Sequence, residues 1–306
     1  MHRRTLLRLP AVGALGAIAA SGLAACGADD VGGANGQSGP STPGEENTVP
    51  SAEGVHRSTH RYGDDPSQYG ELFLPDPVRK PRGVVVVIHG GFWRAEYDAS
   101  LGTPLAADLA ARGWAAWNLE YRRVGDGGGA PATFDDVAAG IDKLADISSV
   151  TTEKPALDLS RVITLGHSAG GHLATWSAAR GRYGFSDDVA VTHVISQAGV
   201  LDLRAAAEAG LGNGAETDLL GHRPSREDER YDPAQQLPLD VPVWCVHGKD
   251  DDTVPIGQSE SYVERATAAG ATAELIAVEG DHFVVIDPSS EAWARQLQVL
   301  DTIAPA

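Results

Sequence analysis

The chain is poor in cysteine. Cys26 and Cys245 are its two among 306 residues, too few for a disulfide framework. Cys245 lies inside an apolar run at 241–246 and reads as a buried core thiol. Basic residues are also scarce, with Lys and Arg totalling 24 against 42 Asp and Glu, a net charge of −18. Such a surface repels phosphate backbones and anionic bilayers, which speaks against nucleic acid as a partner and against direct docking on a membrane face. No internal repeat is present, so the chain is not read as an array of small units. The aspartate run at 250–252 lacks EF-hand spacing, and no metal site or cofactor is expected. What remains is an ordinary globular composition, 42% hydrophobic, on a chain long enough for one large α/β domain.

The first 25 residues have a different character. Arg3, Arg4 and Arg8 come first, then an alanine-rich apolar stretch, then small residues up to Cys26. This is a secretory signal pattern and not a part of the fold. The Arg3-Arg4 pair resembles a twin-arginine export signal. Leu23-Ala24-Ala25-Cys26 resembles the lipobox of bacterial lipoproteins, which implies cleavage before Cys26 and lipid attachment to it. An ordinary cleaved signal with a chance cysteine is the alternative. The lipoprotein reading places the protein in the bacterial cell envelope, touching the membrane only through that lipid. Residues 26–54 are mostly Gly, Ser, Pro, Asn, Thr and acids, which cannot build a core and read as a flexible tether. The folded domain is expected over 55–306.

Within it, residues 56–62 and 68–74 read as an antiparallel hairpin turning at Gly63-Asp64-Asp65-Pro66. The run Gly83-Val84-Val85-Val86-Val87-Ile88 is continuous and β-branched, as a strand buried on both faces should be. Further strands are expected at 114–119, 162–165, 191–196, 241–246 and 273–278. Helical spacing is expected at 99–112, 134–147, 171–179, 258–269 and 291–303. Strand and helix alternate through most of the chain. That predicts an α/β fold, a mostly parallel doubly wound sheet with an N-terminal antiparallel hairpin and with ligands beyond the carboxyl ends of its strands. Residues 200–237 show no clear period and read as a candidate cap or insertion over the site.

Leu165-Gly166-His167-Ser168-Ala169-Gly170-Gly171 joins a strand to a helix through a serine flanked by glycines. That is the context of a nucleophile elbow, in which Gly166 and Gly170 let strand and helix approach and Ser168 stands at a helix N-terminus. A serine hydroxyl needs a base, and the base needs an orienting acid. His282 follows the last strand, in the loop where the base belongs. His247-Gly248-Lys249-Asp250-Asp251-Asp252-Thr253-Val254-Pro255 follows the strand before it, and all three aspartates sit in the loop where the acid belongs. An oxyanion needs two backbone N–H donors, one from the residue after the nucleophile and one from the loop after the first long strand. These are Ala169 and either Gly91 or Phe92, in Ile88-His89-Gly90-Gly91-Phe92-Trp93. His89 reads as a loop brace, His167 as pointing away from the apex, and His172 and His193 as structural.

These motifs resemble the α/β-hydrolase superfamily over 55–306. The acid loop is similar to the pattern H-G-x-x-D-x-x-V-P, which implies Asp251 as the acid, with Asp250 and Asp252 as fallbacks. His89-Gly90-Gly91-Phe92-Trp93, Gly166-His167-Ser168-Ala169-Gly170-Gly171-His172 and Asp281-His282-Phe283 resemble the kynurenine formamidase group and the related acetylxylan and feruloyl esterase-like proteins. Hormone-sensitive-lipase-like enzymes carry a third glycine where this chain has Phe92. The resemblance implies hydrolysis of a small ester or formamide through an acyl-enzyme, without a cofactor. Export favours a carboxylesterase over an arylformamidase of intracellular tryptophan breakdown. The reading of another class is a non-catalytic binding lipoprotein on the same fold.

Overall fold

A computed structural model describes residues 49–51, 55–75, 80–150 and 157–304. The expected signal over 1–25, Cys26 and most of the expected tether lie outside these residues. The strands are β1 (Val49–Ser51), β2 (Val55–Arg61), β3 (Tyr69–Leu74), β4 (Val84–Ile88), β5 (Ala115–Leu119), β6 (Val162–His167), β7 (His193–Gln197), β8 (Val243–Gly248) and β9 (Ala273–Val278). The helices are α1 (Thr103–Ala111), α2 (Ala132–Val150), α3 (Ala169–Ser177), α4 (Leu203–Ala209), α5 (Ala215–Leu220), α6 (Gly257–Ala268) and α7 (Glu291–Ile303). Among the described residues all strands join one sheet in the order β1-β2-β3-β5-β4-β6-β7-β8-β9. The pairings from β1 to β3 and from β3 to β5 are antiparallel, and the rest are parallel.

The strand β4 is apolar throughout because helices cover both faces of the sheet. Val84, Val86 and Ile88 face one core with Trp117, Phe134 and Trp176. Val85 and Val87 face the other, with Leu105, Trp114 and Trp293. The alternation of two per strand sends neighbours to opposite cores, so neither face can carry a charge. The chain runs from β4 to β5 on one side and then returns past β4 to β6 on the other. The strand order therefore reverses at β4, and the crevice between the β4 and β6 carboxyl ends is the place where such a sheet holds a ligand.

Two strand starts fall two residues later than the sequence expectation. Val191 is buried but lies outside the ladder, and β7 begins at His193. β8 begins at Val243 because Pro242 has no N–H to donate and serves the sheet only as an acceptor, from Val194 N at 3.0 Å. Hydropathy reports burial, and ladder membership needs donors as well. The sheet also starts earlier than 55: Val49–Ser51, within the expected tether, pairs antiparallel with β2. An edge strand needs only backbone groups, so its composition leaves little trace.

Residues 200–237, without a legible period, contain the short helices α4 and α5. They pack on the loop after β4. A Cβ at Gly212 would lie 2.4 Å from the Phe92 ring. Arg94 pairs with Asp218 at 3.0 Å, and Ala130 N donates to Leu219 O at 2.7 Å.

Asp232 anchors this segment from within. It is fully buried, and it accepts from Leu203 N and Ala234 N at 3.3 Å and from Gln235 Nε2 at 2.9 Å. Burial pushes its carboxyl up to about 6, with Asp202 adding to the rise and the three donors opposing it. The folded state thus holds a proton that the unfolded chain has released, so this group's contribution to stability falls as pH rises from about 4 to about 6. Asp232→Asn should therefore gain about 3 kcal/mol relative to the wild type between pH 4 and pH 7. Urea unfolding of both proteins across that range is the measurement, and a constant difference would refute the assignment.

Candidate active site

Ser168 stands between β6 and α3 with φ 56° and ψ −118°, a left-handed backbone unusual for a residue with a side chain. Backbone bonds hold the strain. Ser168 N donates to Gln197 O at 2.8 Å, and Ser168 O accepts from His172 N at 3.1 Å and Val200 N at 3.3 Å. The flanking glycines are required by contact. A Cβ on Gly166 would fall 2.1 Å from Gly170 O, and one on Gly170 would fall 2.1 Å from Ile88 O. A side chain at 166 would push α3 off β6, and one at 170 would push the elbow away from β4.

The loop after β4 lies directly on this elbow: a Cβ on Gly90 would come within 2.7 Å of His167 O and 3.1 Å of Ser168 Cβ. Gly91, Phe92 and Trp93 follow with φ of 108°, 53° and 56°, three consecutive left-handed residues. Such a run turns backbone N–H groups out of the ladder and needs firm support. Trp93, buried, sets its ring edge-on to His172 at 5.2 Å. His172 donates from Nε2 to Tyr231 O at 2.8 Å, and burial holds it neutral by lowering its pKa to about 4. His89 stacks on Tyr121 at 4.4 Å, with Nε2 3.2 Å from Glu120 Oε1 and Nδ1 2.8 Å from Gly90 O. His89 and His172 thus lie under the loop after β4, each bonded to backbone or side-chain partners.

The anchor of this loop is a carboxylate that the sequence reading missed. Glu120, buried at the end of β5, accepts from Ala99 N at 2.7 Å and Tyr121 N at 2.9 Å and lies 3.5 Å from Arg123 Nε. Arg123 in turn donates to Tyr97 O. A Glu directly after an apolar strand was the available signal, since a charge there is buried only if partnered.

Asp251 and His282 meet across the loops after β8 and β9. His282 Nδ1 donates to Asp251 Oδ2 at 2.6 Å, and both residues are buried. Asp251 Oδ1 accepts from Thr253 N at 2.9 Å and Val254 N at 2.8 Å. His247 Nε2 lies 3.2 Å from Oδ2. Burial alone would raise the Asp251 carboxyl, but the donors from His247, His282 and Val254 outweigh it and hold the group well below the usual carboxylate range. Asp250 and Asp252 are exposed, and the nearest side-chain partner of Asp252 is Thr253, at 3.4 Å. Of the three aspartates in this loop, Asp251 is the one that the structure brings to His282.

His167 corrects an expectation. Its ring turns toward His282, at 4.5 Å between centroids, and Nε2 donates to His282 O at 2.9 Å. Burial, with the neighbouring His282, lowers it to about 3, so it is a neutral support under the His282 loop.

Ser168 and His282 line one cavity of about 110 Å³ with Gly91, Phe92, Tyr97 and Leu101. Thr253, Phe283 and Ile286 complete the apolar side. Among the described residues no hydrogen bond joins Ser168 Oγ to His282. Such bonds often tighten only around a substrate. Residues 200–237 do not line the cavity and reach it only through their packing on Phe92. Among the described residues the large hydrophobic side chains that remain exposed are Tyr97, Leu101 and Phe283, and all three stand at this mouth. No group of three His, Cys, Asp or Glu side chains among the described residues is disposed to hold a metal ion.

Several proteins that the chain resembles are esterases. The chain is 28% identical to esterase LipC of Mycobacterium tuberculosis (strain ATCC 25618 / H37Rv) over 229 residues, 70% of this chain and 56% of that protein. It is 24% identical to a probable isoprenylcysteine alpha-carbonyl methylesterase of Oryza sativa subsp. japonica over 238 residues, 72% of this chain and 56% of that one. The chain thus spans about half the length of the curated relatives it matches. A truncated carbohydrate esterase from gut microbiota shares the fold with a TM-score of 0.72 at 20% identity, covering 83% of this chain and 99% of that one. Esterase B from Lactobacillus Rhamnosis (HN001) does so with a TM-score of 0.71 at 23% identity, covering 82% and 85%. The BD-FAE family model matches residues 71–265, which takes in the glycine loop after β4, the elbow and Asp251. The chain belongs to the BD-FAE family of α/β-hydrolase esterases.

Proposed function

We propose that this domain hydrolyses small, uncharged carboxylic esters by acyl transfer to Ser168. The observation that carries the reading is the pairing of His282 Nδ1 with Asp251 on the wall of the cavity that Ser168 also lines. With Nδ1 engaged, Nε2 is the ring nitrogen left to take the serine proton. Ser168 Oγ then attacks the acyl carbonyl, and its proton passes to His282 Nε2. Asp251 stabilises the imidazolium so formed. Ala169 N–H, with that of Gly91 or Phe92, receives the oxyanion, each donor contributing roughly 3 kcal/mol to the transition state. The proton goes to the leaving alcohol, and water, activated by the same ring, frees the acid.

The lining supports the substrate class. Apart from the histidines it carries no ionisable group except the Tyr97 phenol, and its mouth is apolar. Phe283→Ala and Tyr97→Ala should each lower kcat/KM for phenyl acetate about tenfold while leaving ethyl acetate within about twofold, because only the aromatic alcohol covers those side chains. The decisive experiment is a fluorophosphonate labelling assay beside an ester panel that includes a formanilide. Labelling of the wild type that disappears in Ser168→Ala, with turnover of acetates, supports the reading. Formanilide as the best substrate would move the assignment to an arylformamidase. No labelling and no turnover would leave a binding module.

We also propose that the domain works outside the cytoplasm on a lipid at Cys26, on the grounds of the export-like segment before it. Cys26→Ser should then shift the protein from the membrane to the soluble fraction of the envelope. An unchanged distribution would remove the lipid anchor.

A further inference from the structure

His247 heads the acid loop, and its ring is completely buried. Nδ1 lies 2.7 Å from Ser259 Oγ of α6. Nε2 lies 2.8 Å from Val254 O and 3.2 Å from Asp251 Oδ2. A carbonyl and a carboxylate can only accept, so Nε2 carries a proton. A hydroxyl can donate, so Nδ1 is free to be the acceptor of a neutral ring. We infer that His247 is a positioning residue: a neutral imidazole that donates Nε2–H between Val254 O and Asp251 Oδ2 and fixes the carboxylate that faces His282. The inference rests on the Ser168, His282 and Asp251 reading above.

The geometry explains why a second side-chain donor is useful. Oδ1 is held by two backbone N–H groups of its own loop. Without His247, the side-chain donor on Oδ2 would be His282 alone, the ring whose charge changes in the reaction. With His247 in place, the carboxylate keeps its orientation whether or not His282 is protonated. A neutral His247 also avoids setting a second cation beside the imidazolium that forms on His282. The other groups facing this cluster are Ser259 of α6, the Cys245 thiol of β8 and His167 of β6. Burial raises Cys245 to about 12 and lowers His167, with help from His282, to about 3, so neither titrates between about pH 5 and 8.

The test compares full-chain wild type, His247→Gln and His247→Phe on p-nitrophenyl acetate. The Gln variant returns an N–H near the place of Nε2, and the Phe variant keeps a ring without a donor. With one donor lost, Oδ2 accepts more strongly from His282 and holds its imidazolium to higher pH. The Phe variant should lower kcat about tenfold or more at a KM within about twofold, and should move the acid limb of kcat/KM upward by about half a pH unit. The Gln variant should restore the limb and most of kcat. A Phe variant with the wild-type limb, or equal damage from both substitutions, overturns the inference. Nitrogen-15 NMR of histidine-labelled wild type reads the ring directly and stands even if neither variant folds. A proton on Nε2 alone at pH 8 supports the inference, and a proton on Nδ1 overturns it. Ser168→Ala separates the two levels. If it keeps turnover, the underlying reading fails, whereas a dead Ser168→Ala beside silent His247 variants removes His247 alone.

Discussion

Ser168→Ala is expected to lower kcat for p-nitrophenyl acetate on the order of 10⁴-fold or more, with KM little changed and the fold intact. The size follows from what is lost. On the proposed reading the hydroxyl is the atom that bonds to the acyl carbon, and the other hydroxyls of the lining, those of Thr253 and Tyr97, do not stand at the elbow, that of Thr253 donating to Asp252 Oδ1 at 3.4 Å. The fold should hold because the strained turn at 168 is kept by backbone bonds to Gln197, His172 and Val200, and alanine keeps all of them. The melting temperature should therefore move by no more than about 2–4 °C, the shift for roughly 1 kcal/mol in a domain of this size. Residual turnover would come from the N–H groups of Ala169 and the Gly91 loop acting on a water attack, and should not be labelled by a fluorophosphonate. Turnover within tenfold of wild type would show that Ser168 is not the nucleophile.

Much of this site was legible in the sequence because its parts obey local rules. Gly166 and Gly170 are glycines because backbone oxygen lies about 2 Å from where a Cβ would be, and that requirement shows as a motif. His282 is singled out by its loop after the last strand, on the rim that the elbow shares, together with the Ser, acid, His chain order that the α/β-hydrolase resemblance implies. The supports were harder to see. Glu120 and Arg123 carry no local signature, because their partners Ala99 N and Tyr97 O belong to another loop. His167 looks directed away from the site when judged by its neighbour Ser168. Its direction is set by a carbonyl 115 residues later, which no local window contains. The same holds for α4 and α5, whose apolar faces meet Phe92 and the α2 and α3 side of the core, so their period is diluted by short length and by glycine caps at Gly210, Gly214 and Gly221. Local turn chemistry is written in adjacent residues. Partnership between distant loops is not.

Asp251→Asn is expected to lower kcat by on the order of 10⁴-fold, whereas Asp250→Asn and Asp252→Asn should stay within about twofold. Among the described residues no hydrogen bond or ion pair joins this exposed pair to His282, so removing their charge changes mainly a screened surface field. At 251 the change is of another kind. The carboxylate presents an acceptor to His282 Nδ1 at 2.6 Å and so keeps the ring proton on Nδ1 and the lone pair on Nε2, where the serine needs it. If the asparagine oxygen keeps Thr253 N and Val254 N, its NH₂ must face His282. The ring then meets a donor, moves its proton to Nε2 and ceases to be a base. The same NH₂ also meets His247 Nε2, a donor on the other side, so the variant is short of acceptors at both rings. Stability should fall too, because a carboxylate held far below its usual range contributes to stability above the unfolded pKa, and that contribution is lost as pH falls through the folded one. The wild type and Asp251→Asn should therefore differ in urea midpoint at pH 7 and converge on acidification. A harmless Asp251→Asn, with either neighbour inactivating, would move the acid to that neighbour and would require the loop to rearrange when substrate binds.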